Sequence, residues 1–122
     1  MSEFNPARDD DRAYLAAALT AFALGLKAED VLRGDRGSKA SSRARQIAMY
    51  LLRAGLGMSL SRVARTFRRD RTTVSYSCHL IEDMRDDPDF DIWIEQLTVG
   101  LTSVAALGGG DGRGSRSLAD AS

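Results

Sequence analysis

Six consecutive residues, Arg68-Arg69-Asp70-Arg71-Thr72-Thr73, carry the densest hydrogen-bonding chemistry in the chain. Arginine pairs bidentately with guanine, threonine offers a methyl to thymine and a hydroxyl to any base, and aspartate accepts from cytosine. The residues on either side decide how these six would be presented. Val74, Ser77, Cys78, Ile81 and Met84 recur on one face of a helix. Thr72, Ser75, Tyr76, His79 and Asp83 then fall on the opposite face, with Arg71 and Thr73 flanking the first turn. Upstream, Leu60, Val63, Ala64 and Phe67 make one stripe of a shorter helix. Asp70 is placed to cap the second helix, its carboxylate accepting from the N–H of Thr72 or Thr73. Two helices joined by a basic turn, the second leading with its N-terminal residues, is how a recognition helix enters a major groove. The stripes alone suit an ordinary solvated helix pair equally well; the arginines in and before the turn favour nucleic acid.

Catalytic chemistry has no comparable support. No nucleophile–base pair, carboxylate pair or metal set is apparent, and no cofactor is expected. One histidine and one cysteine, adjacent as Cys78-His79, cannot assemble a zinc site. His79 reads as a phosphate contact or a solvated side chain. A single cysteine on the buried side of its helix allows no disulfide within one chain, which fits a reducing cytoplasm.

The 122 residues have a formal net charge of zero, which argues against nucleic acid until the distribution is considered. From Arg33 to Arg71 there are eleven Lys/Arg against two Asp; from Glu82 to Glu95 there are seven acids against one Arg. A basic stripe on part of a neutral protein is what phosphate binding requires.

These segments need a body to hold them, and the chain supplies one domain plus tails. Residues 1–8 read as frayed, and the N-terminus to residue 9 as flexible. Asp9 or Asp10 is expected to cap a helix ending near Gly25, with Leu15, Leu19, Phe22 and Leu26 at core spacing. The apolar run Tyr14–Leu26 is too short to span a bilayer and follows three aspartates, where a signal peptide would be positive. A short turn packs Leu26, Val31 and Leu32. Gly34 to Ser42 reads as a flexible basic linker. A helix Ala44–Ala54 comes next, with Ala44, Ile47, Tyr50, Leu51 and Ala54 inward, Ala48 and Leu52 widening the band, and Arg45 away from it. Gly55 and Gly57 break that helix, Leu56 and Met58 tuck inward, and Ser59 caps the next. Asp87 and Pro88 suit the N-cap and first position of a last helix. Its core stripe is Phe90, Trp93, Ile94, Leu97, Leu101 and Val104; Ile92, Val99 and Ala106 make a second, outer stripe that could dock a partner or a second copy. Residues 108–122 read as a disordered tail.

One stretch is more specific than these patterns. Arg45-Gln46-Ile47-Ala48-Met49-Tyr50-Leu51, succeeded by Ser59-Leu60 and by Phe67 through Val74, resembles the C-terminal DNA-binding domain of the bacterial chromosomal replication initiator, DnaA. The resemblance covers roughly residues 10–98. It implies an all-α fold, a small helical bundle with a helix-turn-helix, over residues 10–107 once the last helix is included. It implies that Arg45 enters the minor groove and that Asp70, Thr72 and Thr73 read bases in the major groove. Arg71 stands where the family has histidine, which alters the expected target, since arginine favours guanine. A monomer on a short asymmetric site is implied as well.

The family initiator carries an ATPase domain with a GxxxxGK[ST] loop, and GDRGSKAS lacks that spacing, so no nucleotide partner is expected. The expected function is a stand-alone, sequence-specific double-stranded DNA-binding regulator of transcription, acting on the nucleoid in the cytoplasm. Small regulators of this kind, including activators of gene transfer agent clusters, are similar to this chain in layout. The C-terminal helix would meet RNA polymerase or an architectural DNA-binding protein. Two other readings stand beside it: a replication regulator on initiator boxes, and a protein-interaction module without DNA binding. Candidate DNA contacts are Arg43, Arg45, Arg68, Arg69, Asp70, Arg71, Thr72, Thr73, Ser75, Tyr76 and His79.

Overall fold

The computed structural model describes residues 4–34 and 38–107. The fold is an all-α bundle: α1 Asp9–Leu24, α2 Ala28–Arg33, α3 Lys39–Tyr50, α4 Leu60–Phe67, α5 Arg71–Met84 and α6 Pro88–Leu107. A π-helical turn, Leu51–Gly55, extends α3. Residues 1–3 and the tail expected at 108–122 lie outside the described residues.

Helix α3 is the centre. It packs against α1, α2 and α5, and the π turn carries α6. Ala44, Ile47, Ala48, Met49, Leu51 and Leu52 are almost fully buried, as the wide apolar band predicts. Phe67, Val74 and Ile81 are buried against this centre, and so are Ile94 and Leu101 of α6. Each large side chain so buried stabilises the fold by about 1.5–3 kcal/mol relative to exposure. The hydroxyls taken inside stay satisfied: Thr20 donates to the Ala16 carbonyl, Thr66 to that of Val63 and Ser77 to that of Thr73.

Several expectations are corrected. Phe22 is 87% exposed, and Ala13, Ala16, Ala17, Thr20 and Ala21 form the inner face of α1. Interaxial distance depends on the side chains at the contact, so a face of small residues lets α1 lie close to α3. The large residues at helical spacing had pointed to the neighbouring face. Neither Asp9 nor Asp10 caps α1. Arg8 holds the cap position without a side-chain bond, while the Asp9 carboxylate takes the Arg62 guanidinium of α4 at 2.5 and 3.0 Å. Residues 4–8, read as frayed, form a turn in which Pro6 is buried, its carbonyl accepts from Arg12, and the Asn5 N–H donates to Asp11.

The linker is shorter than expected. Ser38 caps α3, its hydroxyl accepting from the Ser41 N–H at 3.2 Å, so the helix begins five residues before Ala44. Ala54 is exposed, because the π turn inserts extra backbone and rotates it out of the stripe. Val104, expected inside, is 39% exposed on the last turns of α6. Ser59 caps α4 and Asp87 caps α6 as anticipated, with Asp87 accepting from the Asp89 and Phe90 N–H groups.

Candidate nucleic-acid interface

Helices α4 and α5 meet across a turn of three residues, Arg68 to Asp70. The sequence sets both sides of this junction. Val63, Ala64 and Phe67 anchor α4, and Val74, Ser77 and Ile81 anchor α5. Cys78 and Met84 are half-buried at the margin of that face, and burial pushes the Cys78 thiol up from its ordinary value. The outer face is the expected one: Thr72, Tyr76, His79 and Asp83 are exposed and Ser75 is half-exposed.

Arg68, Asp70, Arg71, Thr72 and Thr73 all stand exposed at the leading end of α5. No side chain among these five hydrogen-bonds to the described residues. Asp70 occupies the N-cap position and its carbonyl accepts from the Val74 N–H, but its carboxylate makes no cap bond, contrary to expectation. Being exposed, that carboxylate remains an acceptor facing solvent.

The arginines divide into two groups. Arg45 is 8% exposed and does not stand away from the core. Its Nε donates to the Val31 carbonyl at 2.9 Å, and one terminal nitrogen donates to the carbonyls of Asp30 and Gly34 at 2.9 and 2.7 Å. The end of α2 leaves carbonyls without helical partners, and the planar fork of a guanidinium satisfies several at once. The expectation that Arg45 stands away from the core is therefore corrected: in this structure it clamps α2 onto α3. Arg69 is also turned inward: one terminal nitrogen donates to the same Gly34 carbonyl at 3.0 Å. Arg33 donates to the Thr66 carbonyl at 2.6 Å. Together Arg33, Arg45 and Arg69 tie the end of α2 to α3 and to the α4–α5 turn. Gly34 must be glycine, since a Cβ there would stand 2.5 Å from the Asp30 carbonyl oxygen.

Arg43 is exposed, but its guanidinium lies 3.0 Å from the Met84 sulfur. Met84 closes α5, roughly 20 Å along the axis from Arg71 at 1.5 Å per residue. The structure thus places Arg43 by the far end of α5 rather than with the leading cluster. Sequence reasoning missed Arg33 and Gly34 as the parts that position the turn. The available signal was a basic residue in the last turn of α2, where cations meet unpaired carbonyls.

The far end of α5 carries the opposite charge. Glu82, Asp83, Asp86, Asp87 and Asp89 are exposed around it. The charge asymmetry read along the sequence is therefore also an asymmetry along one helix. No group of three or more His, Cys, Asp or Glu among the described residues is arranged to hold a metal ion. No helix among them is long and apolar enough to cross a membrane.

Comparison with known proteins places this geometry. The family described as bacterial dnaA protein helix-turn-helix matches residues 17–81. The chromosomal replication initiator protein DnaA of a Picosynechococcus species is 42% identical over 80 residues, 65% of this chain and 17% of that protein. The DnaA of Aquifex aeolicus is 44% identical over 59 residues, 48% of this chain and 14% of that protein. The chain therefore spans less than a fifth of the length of these relatives. The crystal structure of a DNA replication initiation factor superposes with a TM-score of 0.68 at 32% identity, over 76% of this chain and 29% of that one. With a family match over more than half its residues, a similar fold and a helix-turn-helix at its centre, the chain belongs to the bacterial DnaA helix-turn-helix family.

Proposed function

We propose that this chain binds double-stranded DNA in a sequence-specific manner through the leading end of α5, and that it regulates transcription from the nucleoid. The observation that carries the reading is the set Arg68, Asp70, Arg71, Thr72 and Thr73, exposed and without internal hydrogen bonds on the turn and first residues of a helix whose other face is buried. Arg71, Thr72 and Thr73 have the donors, acceptors and methyl groups that read base edges. Arg65, exposed on α4, and Arg68 add charge beside them for phosphates. Ser75, Tyr76 and His79 continue the same face toward the strand backbone. The outer surface of α6, with Ile92 and Val99 exposed beside Asp91 and Glu95, offers a place for a protein partner such as polymerase or an architectural DNA-binding protein.

A second reading is favoured by the relatives, which are replication initiators: the chain would occupy initiator boxes at an origin and regulate replication. Chromatin occupancy separates the two, with promoter peaks supporting the first and origin-restricted peaks the second. A salt titration tests the duplex binding common to both. Affinity for a duplex should fall steeply and linearly in logarithmic salt as counterions are displaced. A chain that binds no duplex at low salt would leave only the interaction-module reading.

A further inference from the structure

Two helices of this chain end in the same hydrogen-bond pattern. At the end of α1 the Gly25 N–H donates to the Phe22 carbonyl and the Leu26 N–H to the Ala21 carbonyl, at 3.4 and 2.8 Å. At the end of α4 the Arg68 N–H donates to the Arg65 carbonyl and the Arg69 N–H to the Ala64 carbonyl, at 3.3 and 3.0 Å. Both are Schellman motifs, and both put the residue after the helix in the left-handed region. Gly25 has φ 70° and ψ 33°; Arg68 has φ 56° and ψ 48°. Glycine occupies that conformation without a steric penalty, whereas any side chain crowds its own carbonyl there. Arg68 is the one non-glycine residue with positive φ among the described residues.

The strain is not recovered inside the fold. Arg68 is exposed, and its guanidinium has no hydrogen bond or ion pair with the described residues. Its neighbour Arg69 turns inward to the Gly34 carbonyl, so the two adjacent arginines are sent to opposite sides of the turn. We propose that Arg68 is a phosphate-gripping residue held at a glycine position, so that this junction gives up folding free energy in favour of nucleic-acid affinity. The proposal rests on the DNA-binding reading and adds to it which residue grips the backbone and what that grip costs the fold. A guanidinium fixed on the turn beside the base-reading residues would set register on the duplex without choosing sequence.

Arg68→Gly, Arg68→Lys and Gly25→Ala test this together. Arg68→Gly should raise the melting temperature by roughly 4–8 °C. It should also weaken binding to cognate and scrambled duplexes alike, and make the slope of log affinity against log salt shallower by about one. Arg68→Lys should keep the wild-type melting temperature and the wild-type slope, because it retains both the strain and the charge. Gly25→Ala is the reciprocal control. A Cβ at Gly25 meets no atom within 4 Å, so its effect reports the backbone alone. It should lower the melting temperature and leave duplex binding unchanged. An Arg68→Gly chain that is no more stable than wild type would overturn the claim of stored strain. One that is more stable but binds scrambled duplex with unchanged affinity and slope would overturn the phosphate role, with DNA binding itself intact. A wild-type chain that binds no duplex would instead remove the reading on which the proposal stands.

Discussion

At its C-terminal end α5 is tied to α3 and α6, whereas at its N-terminal end the side chains of Arg71, Thr72 and Thr73 make no bonds within the fold. The tied end is a connected network. Tyr50 donates to Glu82 at 2.5 Å, and Arg85 donates to the Tyr50 hydroxyl at 3.0 Å, to Asp91 at 2.5 Å and to Glu95 at 2.8 Å. Those partners hold the Arg85 guanidinium well above its ordinary range. One helix thus has an end tied into the fold and an end whose side chains are left exposed. Charged side chains stand at both ends in sequence; at one, Glu82 and Arg85 are bonded to neighbouring helices, and at the other the side chains of Asp70 and Arg71 stay exposed and unbonded.

Substitutions at the two ends should therefore give opposite signatures. The largest effect is expected for Arg85→Ala, which removes three hydrogen bonds, two of them to carboxylates. It should lower stability by about 2–3 kcal/mol in urea denaturation, while the folded variant still discriminates cognate from scrambled duplex. Lost discrimination at full stability would dissolve the distinction between the ends. Next come Arg71→Ala and Thr72→Ala. Each should cost about 1–3 kcal/mol of discrimination per lost base contact, read by competition between duplexes, with stability within about 0.5 kcal/mol of wild type. Equal affinity for cognate and scrambled DNA, unchanged from wild type, would remove their assigned role.

A smaller contrast separates the caps. Ser59→Ala, which deletes an observed cap bond, should cost about 1 kcal/mol, whereas Asp70→Ala should be close to neutral in stability because its carboxylate caps nothing. A full cap penalty at Asp70 would show its carboxylate bonded to the first turn in solution. The smallest effect concerns pH. Burial first, then the hydrogen bond to Glu82, pushes the Tyr50 phenol above its ordinary 10.0. Its folded value is raised, so its contribution is fully present below about pH 10 and is lost as pH rises through the folded value. Tyr50→Phe should flatten that alkaline loss in a melting series; an unchanged alkaline slope would show that Tyr50 does not contribute to it.

Much of this was legible along the chain. The stripes of α4 and α5 place Phe67, Val74 and Ile81 inside and Thr72, Tyr76 and His79 outside because side-chain direction tracks helical period directly. Ser59 and Asp87 were legible as caps for an equally local reason. Phe22, Ala54 and Arg45 were not. Phe22 is displaced by a narrow alanine face, Ala54 by a π turn, and Arg45 is drawn inward by carbonyls that belong to residues 30, 31 and 34.

By itself, then, the sequence determined which residues share a helix face, where a basic turn precedes α5, and which family the chain belongs to. Only the tertiary structure decided which arginines are bonded within the fold and which remain exposed. Helical period is a local property, whereas a guanidinium goes wherever unpaired carbonyls lie within reach. Those carbonyls come from segments that are distant in the chain and meet only after packing.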